Sequence, residues 1–434
     1  MLYILQEIIP AEPLITLFTI VCIVVFFLAF YQLNKNGKIF TGSLFVIGVS
    51  IHIVYGNTWL DLFEGITQNL ALLSIILLAP LISIPLKQEG IIHTVITKLE
   101  ELQSNERKTF YGVSSFMMIL APILNMGAIR IVHGFVNELK LTPKILSHAY
   151  YVGFTPAIIW SPFFASVGIV LYMTEIAYMS YMLVGILFAF MQVTLGILLF
   201  RPKDNGDVLL IGDKKADSKD RRNIYLLVGF VICLVSLLIF LEAITQQPML
   251  LLVCVTCLFI PFLWMIIRNK WSEMREEMTI YKRQVTNHSN MEMGLFLSAG
   301  LFGNALIHTP IVSMLRTAII WSSKATVLLL FLFIICFVTL MAVMGIHQII
   351  VIPLILTILS SPDVNVSLLA AAFMCIFSWM LSASISPLNA LNIIISQCVR
   401  TNGLRVAFAW NRNYFLGLTG LAFVYVYLLD FIGI

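Results

Sequence analysis

The sequence predicts an all-α polytopic membrane protein made of two inverted-topology repeats, each with five transmembrane helices, one of them broken, and a re-entrant hairpin. Three observations lead to this prediction. Hydrophobic residues make up 60% of the chain and charged residues 11%, whereas about 25% of the residues of ordinary soluble domains are charged. Apolar runs of about 20 residues, the length of a bilayer span, recur along the chain. Their order in the first half is repeated in the second half.

Residues 1–200 are predicted to form the N-terminal repeat. Uninterrupted apolar runs predict ordinary spans, and GIIHTVITKLEELQSNERK, apolar on one side and charged on the other, predicts a helix lying in the membrane interface. No positively charged leader or small-residue cleavage site precedes the first run, so we expect no removable signal peptide. The predicted elements are spans at about 13–33, 40–56 and 67–86, the surface helix at 90–108, a hairpin at about 109–138, a broken helix at about 145–172 and a span at 177–200.

The connector 201–222 carries seven basic residues together with Gly and Asp, which marks it as a cytoplasmic boundary between the halves. Residues 223–434 are predicted to form the C-terminal repeat. Its predicted elements are spans at about 223–242 and 248–267, a charged surface helix at 268–288, a span at about 291–308, a short segment at 311–323, a hairpin at about 326–360, a broken helix at about 367–398 and a span at about 413–431.

Polar interruptions place the two halves in register. Asn125 and His347 interrupt the two predicted hairpins, and Ser161 and Ser386 interrupt the two predicted broken helices. The length of chain between the first two residues is nearly the same as that between the second two. Such a constant offset is typical of an internal structural repeat.

Charge placement decides whether the hairpins cross the membrane. If both enter and leave on one side, 23 of the 26 Lys and Arg residues fall on one face; the others are Arg316, Lys324 and Arg130. If the hairpins cross, the basic residues scatter over both faces. The positive-inside rule therefore favours re-entrant hairpins. We expect a multi-pass protein of the plasma (inner) membrane with both termini extracytoplasmic.

The two predicted hairpin tips hold the first candidate site residues, which are Asn125 and Gly127 in the first and Gly345, His347 and Gln348 in the second. Polar groups at bilayer depth are costly unless they are paired or line a cavity. Gly127 allows a close approach of backbone to ligand. Asn125 either contacts a solute or joins helices. His347 binds a solute, carries a coupling proton, or only hydrogen-bonds a neighbour.

The two predicted breaks hold the other candidates. A Pro inside a helix frees a carbonyl one turn back, and hydroxyls and amides beside the break can coordinate a cation, while new helix N-termini face an anion. A kink closed by Ser hydroxyls is the alternative. The candidate solute-binding residues are Thr155, Ser161 and Pro162 in the first break and Ser384, Ser386, Pro387, Asn389 and Asn392 in the second.

Other chemistry finds little support in the sequence. Arg130 either meets a solute carboxylate or reaches the membrane surface. No His, Cys or carboxylate has metal-ligand spacing to His347, and we predict no metal site. No nucleophile–base pair or nucleotide-binding loop is recognisable, so we expect neither an enzyme nor a bound cofactor. The basic residues follow topology and predict no nucleic-acid partner.

The tips and breaks also resemble a known family. LNMGAIRI and GIHQIIVIP stand at the tips, and WSPFFASV and ISPLNALNI stand at the breaks. This arrangement is similar to the ion transporter superfamily, most nearly its divalent anion/sodium symporter (dicarboxylate and citrate) branch, over about residues 67–200 and 291–431. That family has Ser-Asn-Thr tips; the first tip here keeps only Asn125, and the second has His347 and Gln348.

The resemblance implies a secondary transporter that moves a small organic anion, such as a di- or tricarboxylate, by alternating access with Na⁺ or H⁺ as coupling ion. It also implies a homodimer in the lipid bilayer. The alternatives are an oxyanion or metalloid efflux permease or a Na⁺/H⁺ antiporter on the same fold, and, more distantly, a channel or a membrane scaffold. The cation sites implied by the resemblance draw on Asn125, Gly153, Ser161, His347 and Ser384.

Overall fold

The computed structural model describes residues 2–8, 12–55, 65–91, 106–136, 142–200, 218–307 and 309–432. Within these ranges the regular secondary structure is helical and includes no strand. Among the described residues, eight helices are long and apolar enough to cross a membrane, or nine if a bent pair counts as one span. The predicted class, an all-α polytopic membrane protein, is confirmed.

The helices of the first half follow the predicted order. A 3₁₀ turn at Ala79–Ser83 joins the helix Leu70–Leu78 to the helix Ile84–Gln88, and together they form the span Gly65–Gln88. The surface helix predicted at 90–108 falls mostly outside the described residues. The helices are α1 (Leu2–Ile8), α2 (Glu12–Gln32), α3 (Lys35–Tyr55), α4 (Leu70–Leu78), α5 (Ile84–Gln88), α6 (Glu106–Leu124), α7 (Met126–Val136), α8 (Pro143–Trp160), α9 (Ala165–Thr174) and α10 (Tyr178–Leu199).

The second half departs from the prediction in two places. Its first helix begins at Ser218, so the end of the predicted connector is helical. The segment predicted at 311–323 is a 16-residue helix bent by 76° from the one before it. The helices are α11 (Ser218–Thr245), α12 (Met249–Arg268), α13 (Trp271–His288), α14 (Asn290–Ile307), α15 (Pro310–Ala325), α16 (Val327–Val343), α17 (Gln348–Leu359), α18 (Leu368–Ile385), α19 (Ala390–Cys398) and α20 (Arg412–Ile432).

At each of the four places where the sequence predicts a hairpin or a broken helix, the structure has two helices separated by one to four residues. We call α6 with α7 the N-terminal hairpin and α16 with α17 the C-terminal hairpin; α8 with α9 and α18 with α19 are the N- and C-terminal broken helices. The second arms, α7 and α17, have 11 and 12 residues. At 1.5 Å per residue they are about 17 and 18 Å long. Both are shorter than a hydrocarbon core of about 30 Å.

The broken helices occupy the centre of the molecule. In the most apolar stretches of Pro143–Thr174 and Leu368–Cys398, 89% of the residues are buried, against 17% in Arg222–Thr245. Side chains such as Phe27, Ile53 and Ile232 stay exposed on the outer helices α2, α3 and α11. In a polytopic membrane protein such apolar surface faces lipid. The polar interruptions therefore lie in the protein interior, away from lipid.

Packing around the centre follows the same plan in both halves. The first arm of each hairpin packs on the first piece of its own half's broken helix, α6 on α8 and α16 on α18. The second arm packs on the second piece of the other half's broken helix, α7 on α19 and α17 on α9, and α17 also packs on α18 of its own half. The first pieces, α8 and α18, also contact each other. Each half thus completes the surroundings of the other half's break.

Local sequence signals explain where these helices begin. Thr142, Thr326 and Ser367 accept hydrogen bonds from backbone N–H groups in the first turns of α8, α16 and α18. Ser and Thr side chains are favoured at such positions because they satisfy N–H groups that have no partner within the helix. Pro143 occupies the first helical position of α8, where its missing N–H costs nothing.

Candidate functional site

Each hairpin turns at a residue with left-handed backbone geometry. These residues are Asn125, with φ of 50°, and Gly345, with φ of 92°. Asn and Gly adopt this conformation more readily than other residues. Gly345 shares this positive φ with Asn125, whereas His347 has a φ of −71°. His347 lies just beyond this turn, at the start of α17.

A serine at each break is tied to the tip of its own half's hairpin. The Ser161 hydroxyl donates to the carbonyl of Pro122 at 3.0 Å, and the Ser386 hydroxyl donates to the carbonyl of Ala342 at 2.7 Å. Both acceptors lie in the last turn before the left-handed residue. Each hydroxyl also accepts from the N–H two residues later, at 3.3 Å in both halves. The same local geometry therefore recurs at the predicted positions in both halves.

In the C-terminal half, a chain of side chains joins the hairpin tip to the break. Gln348 donates through Nε2 to the Ser382 hydroxyl at 2.9 Å, and its Oε1 accepts from Asn389 Nδ2 at 3.1 Å. Ser382 donates in turn to the carbonyl of Trp379 at 3.0 Å. Gln348 and Ser382 are buried. Because Gln348 begins α17 and Asn389 precedes α19, these bonds hold two helix N-termini side by side.

His347 and Asn389 cap those two helices. His347 Nδ1 accepts from the N–H of Ile349 at 3.2 Å, and Asn389 Oδ1 accepts from the N–H of Leu391 at 3.1 Å. Both capping residues are half-buried, as are Pro387 and Gly345. The N-terminus of a helix carries a partial positive charge and is a favourable place for an anion. The C-terminal half thus presents two adjoining helix N-termini with polar side chains at an accessible surface.

In the N-terminal half, by contrast, the backbone carbonyls at the break are already hydrogen-bonded. The last three carbonyls of α8 accept hydrogen bonds from three buried hydroxyls, at 2.8 to 3.0 Å. Pro162 and Ser161 are also buried. The donor and acceptor pairs are Ser166 with Ile158, Tyr181 with Ile159, and Tyr178 with Trp160. Each of these carbonyls already has a hydroxyl partner, so a cation there would have to share the carbonyl with that hydroxyl or displace it.

The predicted site residues Thr155 and Ser384 lie at the contact between the two broken helices. Thr155 donates to the carbonyl of Tyr151 at 2.7 Å and accepts from Gln192 at 2.6 Å. The Tyr151 hydroxyl donates to the carbonyl of Ser384 at 3.1 Å. Sequence reasoning missed Gln192 and Tyr151. Gln192 carried a signal, since it is an amide within the apolar run 177–200, whereas Tyr151 carried none.

Asn392 and Ser384 hold the backbone of the second break. Asn392 Nδ2 donates to the carbonyl of Ser384 at 2.9 Å and contacts the carbonyls of Ile385 and Gly403 at 3.3 Å. The Ser384 hydroxyl donates to the carbonyl of Met380, one turn back in α18. Asn392 and Ser384 are fully buried. In this conformation their side chains stabilise the break, and the accessible groups are those of His347 and Asn389.

Three further predicted residues have distinct surroundings. A Cβ on Gly153 would collide with Ser114 and Met117 of α6, so this glycine lets α8 approach the N-terminal hairpin closely. A Cβ on Gly127 would meet open space within 4 Å. Asn125 is half-buried, and its Oδ1 accepts from the next N–H at 2.7 Å. Arg130 is exposed, which agrees with the surface-reaching alternative more than with a buried partner.

Comparison with known proteins adds no family to this description. No model of a known protein family matches the chain, and no curated protein sequence matches it either.

Proposed function

We propose that this protein is a secondary active transporter of a small organic anion, such as a di- or tricarboxylate, coupled to Na⁺ or H⁺. One observation carries the proposal: Gln348 and Asn389 are hydrogen-bonded at 3.1 Å, so the N-termini of α17 and α19 adjoin within the apolar part of the chain. Two helix dipoles directed at one place favour an anion. Discontinuous helices of this kind form the solute sites of many secondary transporters.

The proposed architecture is a pair of inverted repeats with re-entrant hairpins. The matching serine bonds, the crossed packing of the second arms and the short length of α7 and α17 support it. An arm of about 17 Å enters a membrane without crossing it. The hairpins and broken helices then move as one unit past the remaining spans and expose the site alternately to each side. We place this unit, as a homodimer, in the plasma membrane.

The coupling ion is proposed to bind near the same tips and breaks, at Asn125 with Gly153 and Ser161 or near Ser384, because the Nδ1 lone pair of His347 already accepts from the N–H of Ile349. The two halves differ in what such an ion meets. In the N-terminal half, hydroxyls already occupy the last three carbonyls of α8. In the C-terminal half, His347 and Asn389 are half-buried and reachable. The C-terminal tip is therefore the better candidate for coupled binding of anion and ion.

Ligand-dependent thermal stability tests the proposed function directly. A ligand that binds only the folded protein raises its melting temperature, and a hundredfold excess over the dissociation constant contributes about 2.7 kcal/mol. The purified protein is heated with a panel of small carboxylates and inorganic oxyanions, with and without sodium. We expect a carboxylate to raise the melting temperature more in sodium. A shift only with inorganic oxyanions would favour the efflux alternative, and no shift with any anion would contradict the proposal.

Uptake into vesicles tests the site residues. Asn389→Ala removes the cap of α19 and the bond to Gln348, and His347→Ala removes the cap of α17. We expect both variants to lose uptake of the stabilising anion while remaining folded. Asn413→Ala, an exposed amide at the start of α20, is the matched control and should transport normally. Normal uptake by both site variants would remove these residues from the site.

A further inference from the structure

The ring of His347 is held in one orientation by the start of α17. Its Nδ1 accepts a hydrogen bond from the N–H of Ile349 at 3.2 Å. A backbone N–H only donates, so Nδ1 must present a lone pair to it. A neutral imidazole carries one proton, which then belongs to Nε2. The helix cap thus fixes the tautomer, and the free end of the ring is an N–H donor.

The surroundings of the ring leave that donor available. Phe296 of α14 and Trp379 of α18 flank the imidazole, with ring centroids 6.4 and 6.1 Å away. In the described part of the chain, the N–H of Ile349 is the one hydrogen-bond partner of the ring, and no charged side chain acts on it. His347 is half-buried, and its neighbour Gln348 is bonded to Asn389. The Nε2–H group therefore belongs to the same surface as the two helix N-termini.

We infer that His347 binds the anionic solute as an electrically neutral Nε2–H donor and does not carry the coupling proton. This inference rests on the proposed function. To become charged, the ring would have to take a proton at Nδ1, where it would face the N–H of Ile349 and cap α17 no longer. An Nε2–H donor, by contrast, adds a hydrogen bond to a carboxylate oxygen without disturbing the helix. The positive charge that balances the anion then comes from the helix N-termini and the coupling ion.

The tautomer is measured on the wild-type protein in lipid bilayers by NMR of isotope-labelled histidine, whose ring carbon shifts differ between the two neutral tautomers and the charged form. The signal missing from His347→Asn identifies residue 347 among the seven histidines. We expect the Nε2–H form at every pH from about 6 to 8, the range in which an ordinary histidine titrates. An Nδ1–H form, or a charged ring within that range, would overturn the inference.

Proton counting in vesicles provides the second test, with fumarate as the probe because both its carboxylates are ionised above about pH 6. In His347→Asn, the amide oxygen can still cap α17 but the side chain cannot titrate. We expect fumarate affinity to fall about tenfold or more, as for a lost hydrogen bond to a charged group. The number of protons moved per fumarate should match the wild type. A lower number in the variant would show that His347 carries the proton.

The two tests separate the inference from the function on which it rests. If fumarate and the other carboxylates neither bind nor move, the proposed function fails, but the NMR measurement still reports the tautomer of His347. If transport occurs and the ring is in the Nδ1–H form, the function stands and the inference fails.

Discussion

Gln348 is a buried residue whose side chain connects the C-terminal hairpin to the C-terminal break. It is 1% exposed and bonded to both Ser382 and Asn389. Gln348→Leu keeps the approximate volume but leaves Asn389 without this acceptor. A typical intramolecular hydrogen bond contributes about 0.5–1.5 kcal/mol to stability. We expect the free energy of unfolding, followed by thermal or denaturant unfolding in detergent, to fall by about that amount, and anion binding to weaken because Asn389 is no longer held.

The matched control for this change is Gln397→Leu, on the exposed side of α19. Its side chain is solvent- or lipid-facing, so the substitution should change stability by no more than about 0.5 kcal/mol. If Gln348→Leu matches the control in both stability and anion binding, the hydrogen bonds from Gln348 to Ser382 and Asn389 do not form in the purified protein.

Two glycines at the hairpin tips separate backbone strain from ligand access. Gly345 has a φ of 92°, which an L-residue rarely adopts, whereas Gly127 lies in α7 with open space where a Cβ would be. Gly345→Ala should lower the free energy of unfolding by about 1–2 kcal/mol. Gly127→Ala should leave the melting temperature unchanged or slightly higher, since Ala favours helix by about 1 kcal/mol. Both are measured by thermal unfolding without ligand.

The anion dependence of the same two variants gives the functional comparison. If the solute approaches the backbone at the N-terminal tip, the methyl group of Gly127→Ala should reduce the anion-induced rise in melting temperature. An unchanged rise would show that the solute does not contact Gly127, and equal unfolding of both variants would contradict the geometry of the second tip.

At this scale, the sequence predicts which residues interrupt the helices, because a polar side chain or Pro in an apolar run is a strong local signal. It does not predict what each side chain touches. The prediction treats Ser161 and Ser384 alike as ion ligands, yet Ser161 bonds a hairpin carbonyl and Ser384 bonds its own helix. The hydroxyl of Tyr181 donates a hydrogen bond to a carbonyl of another helix. A Tyr within an apolar run does not indicate such a bond.

At the scale of helices, the contact between α8 and the N-terminal hairpin depends on Gly153. Its Cα faces Ser114 and Met117 of α6, and a Cβ would meet the backbone of α6. Gly153→Ala should therefore push the two helices apart and lower stability by about 1–3 kcal/mol, the usual cost of overpacking a core. The measurement is thermal unfolding of the purified variant, combined with its rate of uptake.

Gly134→Ala is the comparison for that change, because Gly134 lies in the same hairpin with nothing within 4 Å of a Cβ. It should be at least as stable as the wild type, since Ala favours the helix. Equal stability of the two variants would mean that α8 and α6 are not in close contact at Gly153.

The predicted broken helices correspond closely to the observed ones because long apolar runs bounded by polar residues or Pro are strong local signals. Predicted and observed bounds of the broken helices are 145–172 against Pro143–Thr174, and 367–398 against Leu368–Cys398. Helix ends are harder to predict where a segment is charged, as a loop often is, but is also able to form a helix. Residues 218–222 include four charged residues and are predicted to belong to the connector, but they extend α11. Long polar side chains at a helix end are satisfied by solvent or headgroups and do not stop the helix.

For the whole molecule, the central arrangement depends on contacts that no local pattern encodes. The apolar runs and the nearly equal chain offsets between the two tips and between the two breaks predict two similar halves. The crossing of α7 onto α19 and of α17 onto α9 is a tertiary arrangement between segments of different halves, far apart in the chain. It decides which groups meet at the site, and a single sequence contains no pairwise signal for it.

The proposed alternating access depends on the proposed opposite orientation of the two hairpins, and cysteine labelling tests this orientation. In a variant without the seven native cysteines, single cysteines replace Lys324 and Asn365, which flank the C-terminal hairpin, or Lys108 and Lys140, which flank the N-terminal hairpin. If each hairpin enters and leaves on one side, both members of a pair share a face. The positive-inside rule then places the first pair outside and the second pair inside. An impermeant maleimide should label the first pair on intact cells and the second pair only after permeabilisation.

Labelling of one member of a pair without the other would show that the hairpin crosses the membrane. Labelling of all four from the same side would show that the hairpins are re-entrant but parallel, and the site would then lack the two-sided surroundings that alternating access needs.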